Sequence, residues 1–163
     1  MSALRMLVRI GDLRVATDDA TLVTVGIGSC IAVAVLDPVG RVGGLGHALL
    51  PEPFRNGKPA PPGRFATTAI ERLLEMMREE GGDPKRAVAW LVGGARMFEG
   101  LAPSGVSIGD RNVTAARATL EAAGVPIRGE IVGGGRGRSV YFDVGAGRLR
   151  ITSVQSDDVF LHE

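Results

Sequence analysis

Two residues in the first third of the sequence have the chemistry of a nucleophile and its base. Cys30 is the only cysteine among 163 residues, and His47 is one of two histidines. The reactive form of a cysteine is the thiolate, and an adjacent imidazole promotes it by taking the proton of the thiol. Such a pair attacks the carbonyl carbon of amides and esters. If the fold brings the two side chains together, the sequence predicts a thiol hydrolase.

The segment between the two residues predicts how they meet. The tetrapeptide "DPVG" (37–40) has the residues of a β-turn that joins two antiparallel strands. With two central residues in the turn, the same register places Cys30 directly opposite His47, where paired Cβ atoms lie about 4.5–5.5 Å apart. A β-bulge at one of the glycines that follow the turn would shift this register by one residue. We predict that the two side chains share one face of a hairpin.

Neighbouring residues fit the same chemistry. Gly26 and Gly28 leave the backbone before Cys30 uncluttered. A planar amide can therefore approach, and main-chain N–H groups can point at a developing oxyanion. Thr24 offers a hydroxyl and a carbonyl that can hold the imidazole of His47 in one tautomer. Cys30, His47 and Thr24 are thus the candidate catalytic residues.

The same residues also fit a structural interpretation, which the sequence leaves open. A lone cysteine in an apolar strand is most often inert packing, and His47 between two small residues is also typical of a half-buried, hydrogen-bonded side chain. His162, next to the last residue, is predicted to lie in a frayed tail. One cysteine and one nearby histidine give two ligands where zinc takes three or four, so we expect no metal site.

The composition excludes several classes of protein. Lysine and arginine total 19 against 18 acidic residues, without a block of like charges, so we expect no nucleic-acid binding. The longest apolar run, 30–36, is far shorter than the roughly 20 residues of a membrane span, so we expect no membrane insertion. A single cysteine and no visible export signal predict a cytoplasmic protein. The length predicts a single domain, 1–163.

Short β-rich runs and two helices must position the candidate residues. Most of the runs are apolar on both faces, which predicts sheets that are covered on both sides. Together they predict an α+β fold, a three-layer α/β sandwich in which mixed β-sheets pack with two main helices. The β-rich runs are a segment near the N-terminus and residues 21–27, 30–37, 44–50, 87–92, 127–132, 139–144 and 148–154.

The helices and one loop have local signals. The first helix is predicted over 64–80 from apolar residues at helical spacing. The second is predicted over 110–124, with Asp110 as its N-cap and Gly124 just past its end. The proline-rich segment 51–63 is predicted to be a loop without regular pairing, because proline has no N–H to donate.

Four sequence blocks, in order, resemble a known family. They are "TVGIGSCIAVAVLDP" with "GGLGHALLP" (24–51), "VGGARMF" (92–98), "IGDRNV" (108–113) and "VGGGRGRSVYF" (132–142). These blocks are similar to the signature of the chemoreceptor glutamine deamidases, the CheD family of bacterial and archaeal chemotaxis. The resemblance covers nearly the whole chain.

The resemblance implies an activity and a set of roles. The expected reaction is hydrolysis of glutamine side chains to glutamate in methyl-accepting chemotaxis receptors, with release of ammonia and no cofactor. Cys30 would be the nucleophile, His47 the general base and acid, and Thr24 the residue that orients His47. The family also implies a fold similar to that of deamidating bacterial toxins, and a CheC-type phosphatase as a partner.

Other interpretations stay open at this stage. The chain can be a non-catalytic chemotaxis adaptor that docks on the phosphatase, or a related thiol esterase or amidase that acts on receptor glutamate methyl esters. "VGGARMF" favours a tight turn over an anion cradle, and "GGGRGR" (133–138) favours a flexible or hairpin turn over a phosphate loop. Arg136 and Arg138 are expected to be solvated, with guidance of an acidic receptor helix as the alternative.

Overall fold

The strands of the computed structural model, which describes residues 4–97 and 107–163, form two five-stranded sheets. The central sheet has the order β2-β5-β4-β6-β7, and the outer sheet has the order β1-β3-β8-β9-β10. The strands are β1 (Arg5–Leu7), β2 (Leu13–Thr17), β3 (Thr21–Ile27), β4 (Ile31–Asp37), β5 (Val42–Ala48), β6 (Val88–Gly93), β7 (Ile127–Val132), β8 (Arg138–Asp143), β9 (Arg148–Ser153) and β10 (Val159–His162).

Three layers result, with two helices on one face of the central sheet and the outer sheet on the other. Helix α1 (Ala66–Glu79) and helix α2 (Ile108–Ala122) cover the helical side. Every residue of β4, β5 and β6 is buried, because both faces of these strands are covered. The predicted α+β class with mixed sheets and two helices is confirmed.

The expectation that the sheets are covered on both sides is right for the central sheet and wrong for the outer one. Along β8, Val140 and Phe142 are fully buried between the sheets, while the residues that alternate with them are partly exposed. Val25 of β3 is half exposed on the open face. The outer sheet therefore has the alternating pattern of a sheet with one face in water.

Both predicted helices are confirmed, but the start of the second differs. Ser107 is the N-cap of α2, and its Oγ accepts a hydrogen bond from the N–H of Asp110 at 3.1 Å. The prediction of Asp110 as the N-cap is wrong, because its carboxylate, in the first turn of the helix, instead binds the guanidinium of Arg96. Gly124 has φ +72° just beyond the C-cap, as predicted.

Two edge strands, β2 and β10, were not predicted, and one of them corrects the interpretation of the C-terminus. β10 pairs with β9, with His162 opposite Arg148. The carbonyl of His162 accepts a hydrogen bond from Trp90 Nε1 at 3.3 Å, so this residue does not lie in a frayed tail. Of the predicted loop 51–63, residues 51–61 have neither strand nor helix, whereas its last two residues begin a short 3₁₀ helix, Pro62–Arg64. Phe98, the last residue of "VGGARMF", lies outside the described residues.

Neither of the two helices described above has the length and apolar character to cross a lipid bilayer.

Candidate active site

The hairpin of β4 and β5 carries His47, and its register differs from the predicted one by two residues. Asp37 pairs with Val42, and Ala32, not Cys30, lies opposite His47. The turn has four residues, because the carboxylate of Asp37 accepts hydrogen bonds from the N–H groups of Val39 and Gly40 at 3.0 and 3.1 Å. The predicted direct opposition of Cys30 and His47 is therefore wrong. Since side chains alternate with a period of two, a two-residue shift leaves both on the same side of the central sheet.

His47 points between the two sheets and contacts Thr24 of the outer sheet. The Oγ1 of Thr24 lies 2.7 Å from Nδ1 of His47, and both residues are fully buried. Thr24 Oγ1 also donates to the carbonyl of Val8 at 2.6 Å. A carbonyl can only accept, so the hydroxyl proton of Thr24 is used in that bond and Oγ1 must accept from His47 Nδ1–H. The tautomer with the proton on Nδ1 follows, which leaves the lone pair on Nε2.

The free ring nitrogen of His47 is in the form that a base needs. Among residues 4–97 and 107–163, nothing forms a hydrogen bond with the buried Nε2. Burial lowers the pKa of His47 to about 4, so the imidazole is neutral at pH 7. A neutral imidazole with its lone pair on Nε2 can accept a proton from a group that enters this space.

Cys30 directly precedes β4, in the segment that crosses from the outer sheet to the central sheet. Its side chain is half-buried and packs against the apolar cluster between the sheets, on the side to which His47 points. Burial raises the pKa of the Cys30 thiol, and the hydrogen bond from its own backbone N–H to the sulfur opposes this increase. At neutral pH the resting protein therefore has both groups uncharged, Cys30 as a thiol and His47 as a neutral imidazole.

The segment 28–30 is fixed by hydrogen bonds to all three of its carbonyl oxygens. The donors are the N–H of Ala95 to Gly28 at 3.0 Å, the side chain Nδ2 of Asn112 to Ser29 at 2.9 Å, and the N–H of Gly94 to Cys30 at 2.7 Å. Because a peptide group is planar and trans, each of these bonds also sets the direction of the N–H that follows it. The Cys30 backbone is thus held by the turn after β6 and by α2.

Two glycines of "VGGARMF" make this close approach possible. A Cβ on Gly93, which has φ +121°, would overlap the carbonyl oxygen of Cys30. A Cβ on Gly94, which has φ +60°, would overlap Val113 of α2. Only glycine fits both the dihedral angles and the space. The predicted tight turn stays a prediction; in the fold these two glycines let the end of β6 approach and hold the segment that contains the cysteine.

Asn112 is the residue of this site that sequence reasoning missed. It is fully buried, its Nδ2 donates to the carbonyls of Ser29 and Leu49 at 2.9 and 3.0 Å, and its Oδ1 has no partner among the described residues. Within the motif "IGDRNV" the sequence predicts only a helix start, at Asp110, and the structure has the helix start at Ile108. The signal that could have identified Asn112 is its spacing, because it lies four and eight residues before Ala116 and Leu120 on the apolar face of α2.

A groove of about 690 Å³ lies beside the start of this segment, lined by Gly26 and by residues 136–139 and 152–155. The two arginines of "GGGRGR" border it. Arg136 donates to Ser156 Oγ at 2.6 Å, and the partly buried Arg138 donates to the carbonyl of Gly93 at 3.3 Å. Arg136 is exposed, as expected of a solvated arginine, whereas for Arg138 the expectation is wrong, because this side chain is partly buried and bound to a backbone oxygen. No group of three or more metal-ligating side chains occurs in the part of the chain that the structure describes.

The comparisons by sequence agree on one family. The sequence model of CheD, described as CheD chemotactic sensory transduction, matches residues 49–153. The chain is 38% identical over 152 residues to the probable chemoreceptor glutamine deamidase CheD of Thermococcus kodakarensis, covering 93% of this chain and 94% of that protein. It is 37% identical over 151 residues to the chemoreceptor glutamine deamidase CheD of Thermotoga maritima, covering 93% of each.

Solved structures are similar to part of this chain. Bacillus licheniformis hypothetical protein YfiH superposes with a TM-score of 0.48 at 17% sequence identity, over 74% of this chain and 49% of that chain. This chain therefore spans about half of the length of that protein.

Proposed function

The chain belongs to the CheD family, and we propose that it hydrolyses glutamine side chains of methyl-accepting chemotaxis receptors to glutamate, with Cys30 as the nucleophile. The observation that carries this proposal is the hydrogen-bonded chain Val8–Thr24–His47, which leaves Nε2 of His47 unprotonated and unpartnered among the described residues. A base in that state next to the segment that holds the only cysteine fits a thiol-dependent amide hydrolase. Its relatives are named for deamidation of chemoreceptor glutamines.

The first half of the proposed reaction forms a thioester. Nε2 of His47 takes the proton of the Cys30 thiol, and the sulfur attacks the carboxamide carbon of the glutamine. The C–S bond forms and the carbonyl electrons move to oxygen, which backbone N–H groups of the cysteine segment stabilise. The imidazolium then gives its Nε2 proton to the amide nitrogen. The C–N bond breaks and ammonia leaves.

The second half hydrolyses the thioester. His47, again neutral, removes a proton from water, and the resulting oxygen attacks the thioester carbon. When the tetrahedral intermediate collapses, the C–S bond breaks and the sulfur regains the proton from Nε2. Glutamate is released and the enzyme returns to its starting protonation state. In both halves Thr24 Oγ1 accepts from Nδ1–H, which keeps the imidazole in one orientation.

Thr24 has a further consequence for the strength of His47 as an acid. A neutral hydroxyl, unlike a carboxylate, does not compensate the charge of the imidazolium, so the pKa of His47 stays low. A low pKa makes the imidazolium a strong acid, which favours protonation of the departing nitrogen. The cost is a small population of thiolate in the resting enzyme, because burial disfavours the charged forms of both Cys30 and His47.

The partner and the compartment are proposed on the family resemblance and on chemistry. We propose a CheC-type phosphatase as the partner. We place the protein in the cytoplasm, where a free thiol such as that of Cys30 stays reduced.

The test is incubation of the protein with a purified cytoplasmic fragment of a chemoreceptor, followed by mass spectrometry of peptides and an ammonia assay. We expect conversion of specific glutamines by the wild-type protein and none by Cys30→Ala or His47→Gln. His162→Gln is the matched control, because this exposed histidine of β10 lies far from the cysteine in the fold. An unchanged rate in Cys30→Ala would refute the proposal and favour an adaptor.

A further inference from the structure

Asn112 connects helix α2 to the place where the two strands of the catalytic hairpin separate. The ladder between β4 and β5 ends at the pair Ile31 and Ala48, so the next pair along would be Cys30 and Leu49. At this point the side chain of Asn112 donates one N–H to the carbonyl of Ser29 and the other to the carbonyl of Leu49. The two carbonyls fix the orientation of the carboxamide, because only its NH₂ group can donate to both.

The bond to Ser29 determines where the N–H of Cys30 points. The Ser29 carbonyl and the Cys30 N–H belong to one planar, trans peptide group and point in opposite directions. Since the carbonyl is directed at α2, the N–H is directed away from the helix. The same N–H lies within hydrogen-bonding reach of the Cys30 sulfur. The Cys30 N–H therefore points away from α2 and belongs to the same residue as the sulfur, which makes it the nearest main-chain donor along the chain for an oxyanion formed by attack of that sulfur.

A packing role alone does not account for Asn112. Its Oδ1 is buried without a partner in the described part of the chain, and such a group typically lowers stability by about 1–3 kcal/mol. The surrounding face of α2 is apolar, with Val113, Ala116 and Leu120 buried beside it. The feature that distinguishes Asn112 from an apolar residue is its pair of N–H donors, and both of them are used on the strand ends next to the site.

We propose that Asn112 is a positioning residue for the oxyanion hole, which holds the Ser29–Cys30 peptide so that the Cys30 N–H donates to the oxyanion of the tetrahedral intermediates. The inference rests on the proposed function, because it assumes attack by Cys30. It adds to that function a residue from α2 that acts through a peptide group and does not touch the substrate. Removal of an oxyanion-hole donor typically lowers kcat by about 10²–10³-fold.

The test compares two reactions of the same sulfur. Deamidation passes through an oxyanion, whereas alkylation by iodoacetamide is a direct displacement at carbon that forms none. Asn112→Asp replaces the donor by an oxygen that faces two carbonyls, and Asn112→Ala removes it. In both variants we expect kcat for the receptor fragment to fall by about 10²-fold with KM nearly unchanged. The rate constant for alkylation of Cys30 should stay close to that of the wild type.

Leu120→Ala is the matched control, because it removes a buried side chain from the same face of α2, two turns further on. It should lower the unfolding midpoint and leave kcat unchanged in the folded protein. Full activity of both Asn112 variants, with Cys30→Ala inactive, would overturn this inference alone. Alkylation that slows in parallel with kcat would also overturn it, as would loss of cooperative folding in both variants. Activity in Cys30→Ala would instead overturn the proposed function.

Discussion

Replacement of Thr24 by valine tests the hydrogen-bonded chain that sets the state of His47. The hydroxyl of Thr24 serves two buried groups, the carbonyl of Val8 at 2.6 Å and Nδ1 of His47 at 2.7 Å. In Thr24→Val both groups lose their partner in a region with no exposure to water. Each unsatisfied buried group typically lowers stability by about 1–3 kcal/mol, so the free energy of unfolding should fall by about 2–6 kcal/mol.

The same substitution should lower kcat for a separate reason. The Nδ1–H tautomer is held by one hydrogen bond, whose net contribution is about 0.5–1.5 kcal/mol. If the free-energy difference between the two tautomers of His47 falls by about 1.4 kcal/mol, their ratio changes by about tenfold. The imidazole also becomes free to rotate. We therefore expect kcat to fall by about 10–100-fold, measured by ammonia release at a temperature at which the variant is folded. Thr24→Ser keeps the hydroxyl and should retain most of the activity.

Nitrogen NMR of the histidine ring separates the two effects. In the wild type, Nδ1 should give the signal of a protonated nitrogen and Nε2 that of an unprotonated one, whereas Thr24→Val should show a mixture. A wild-type spectrum with the proton on Nε2 would refute the tautomer derived from the Val8 carbonyl. So would a Thr24→Val variant that loses stability but keeps its full kcat.

Two further predictions concern pH and the turn after β6. Because burial lowers the pKa of His47 in the free protein to about 4, kcat/KM should stay constant through the range near pH 6.5 in which an ordinary histidine titrates. It should decline only as the pH falls towards 4, and a decline centred near pH 6.5 would contradict this. The free energy of unfolding should change at a higher pH, because His47 of the unfolded chain binds a proton below about pH 6.5 while buried His47 does not. The contribution of neutral His47 to stability is therefore complete above about pH 6.5 and is lost as the pH falls from there to about 4. Urea titrations at several pH values can follow this loss. Gly93→Ala should lower both stability and kcat, because a Cβ at this position would overlap the Cys30 carbonyl. Gly81→Ala is the control: Gly81 has φ +91° and open space around it, so this substitution should lower stability alone. Equal kcat values for the two variants would contradict the role of Gly93.

The strands and helices of the core were predictable because their apolar patterns are strong. β3 was predicted at its observed bounds, and both helices to within two residues at each end. The edge strand β10 was missed because its residues are largely exposed and lack apolar periodicity. The turn of the β4–β5 hairpin was predicted two residues too short. Its length depends on the carboxylate of Asp37 and on a positive φ at Arg41, which is uncommon for a non-glycine residue.

The candidate site was predictable in its residue types and not in its contacts. Cys30 and His47 stand out by chemistry and lie near one hairpin in sequence, so a simple local argument finds both. The Thr24 contact crosses from one sheet to the other, and no spacing along the chain specifies how two sheets pack. Asn112 donates hydrogen bonds to the backbone carbonyls of Ser29 and Leu49. Every residue has such a carbonyl, so the sequence does not indicate which ones accept these bonds. Contacts of this kind require the tertiary structure.

The position of the site at the seam between the sheets links its geometry to the packing of the core. Thr24 belongs to the outer sheet, His47 to the central sheet, and Cys30 to the segment that passes from one to the other. A shift of one sheet against the other therefore changes the contact between Thr24 and His47 before it changes any strand. The small side chain of Ala32, opposite His47 in the ladder, leaves room between the sheets for the imidazole. The packing between the sheets that stabilises the fold thus also sets the distance between His47 and Thr24.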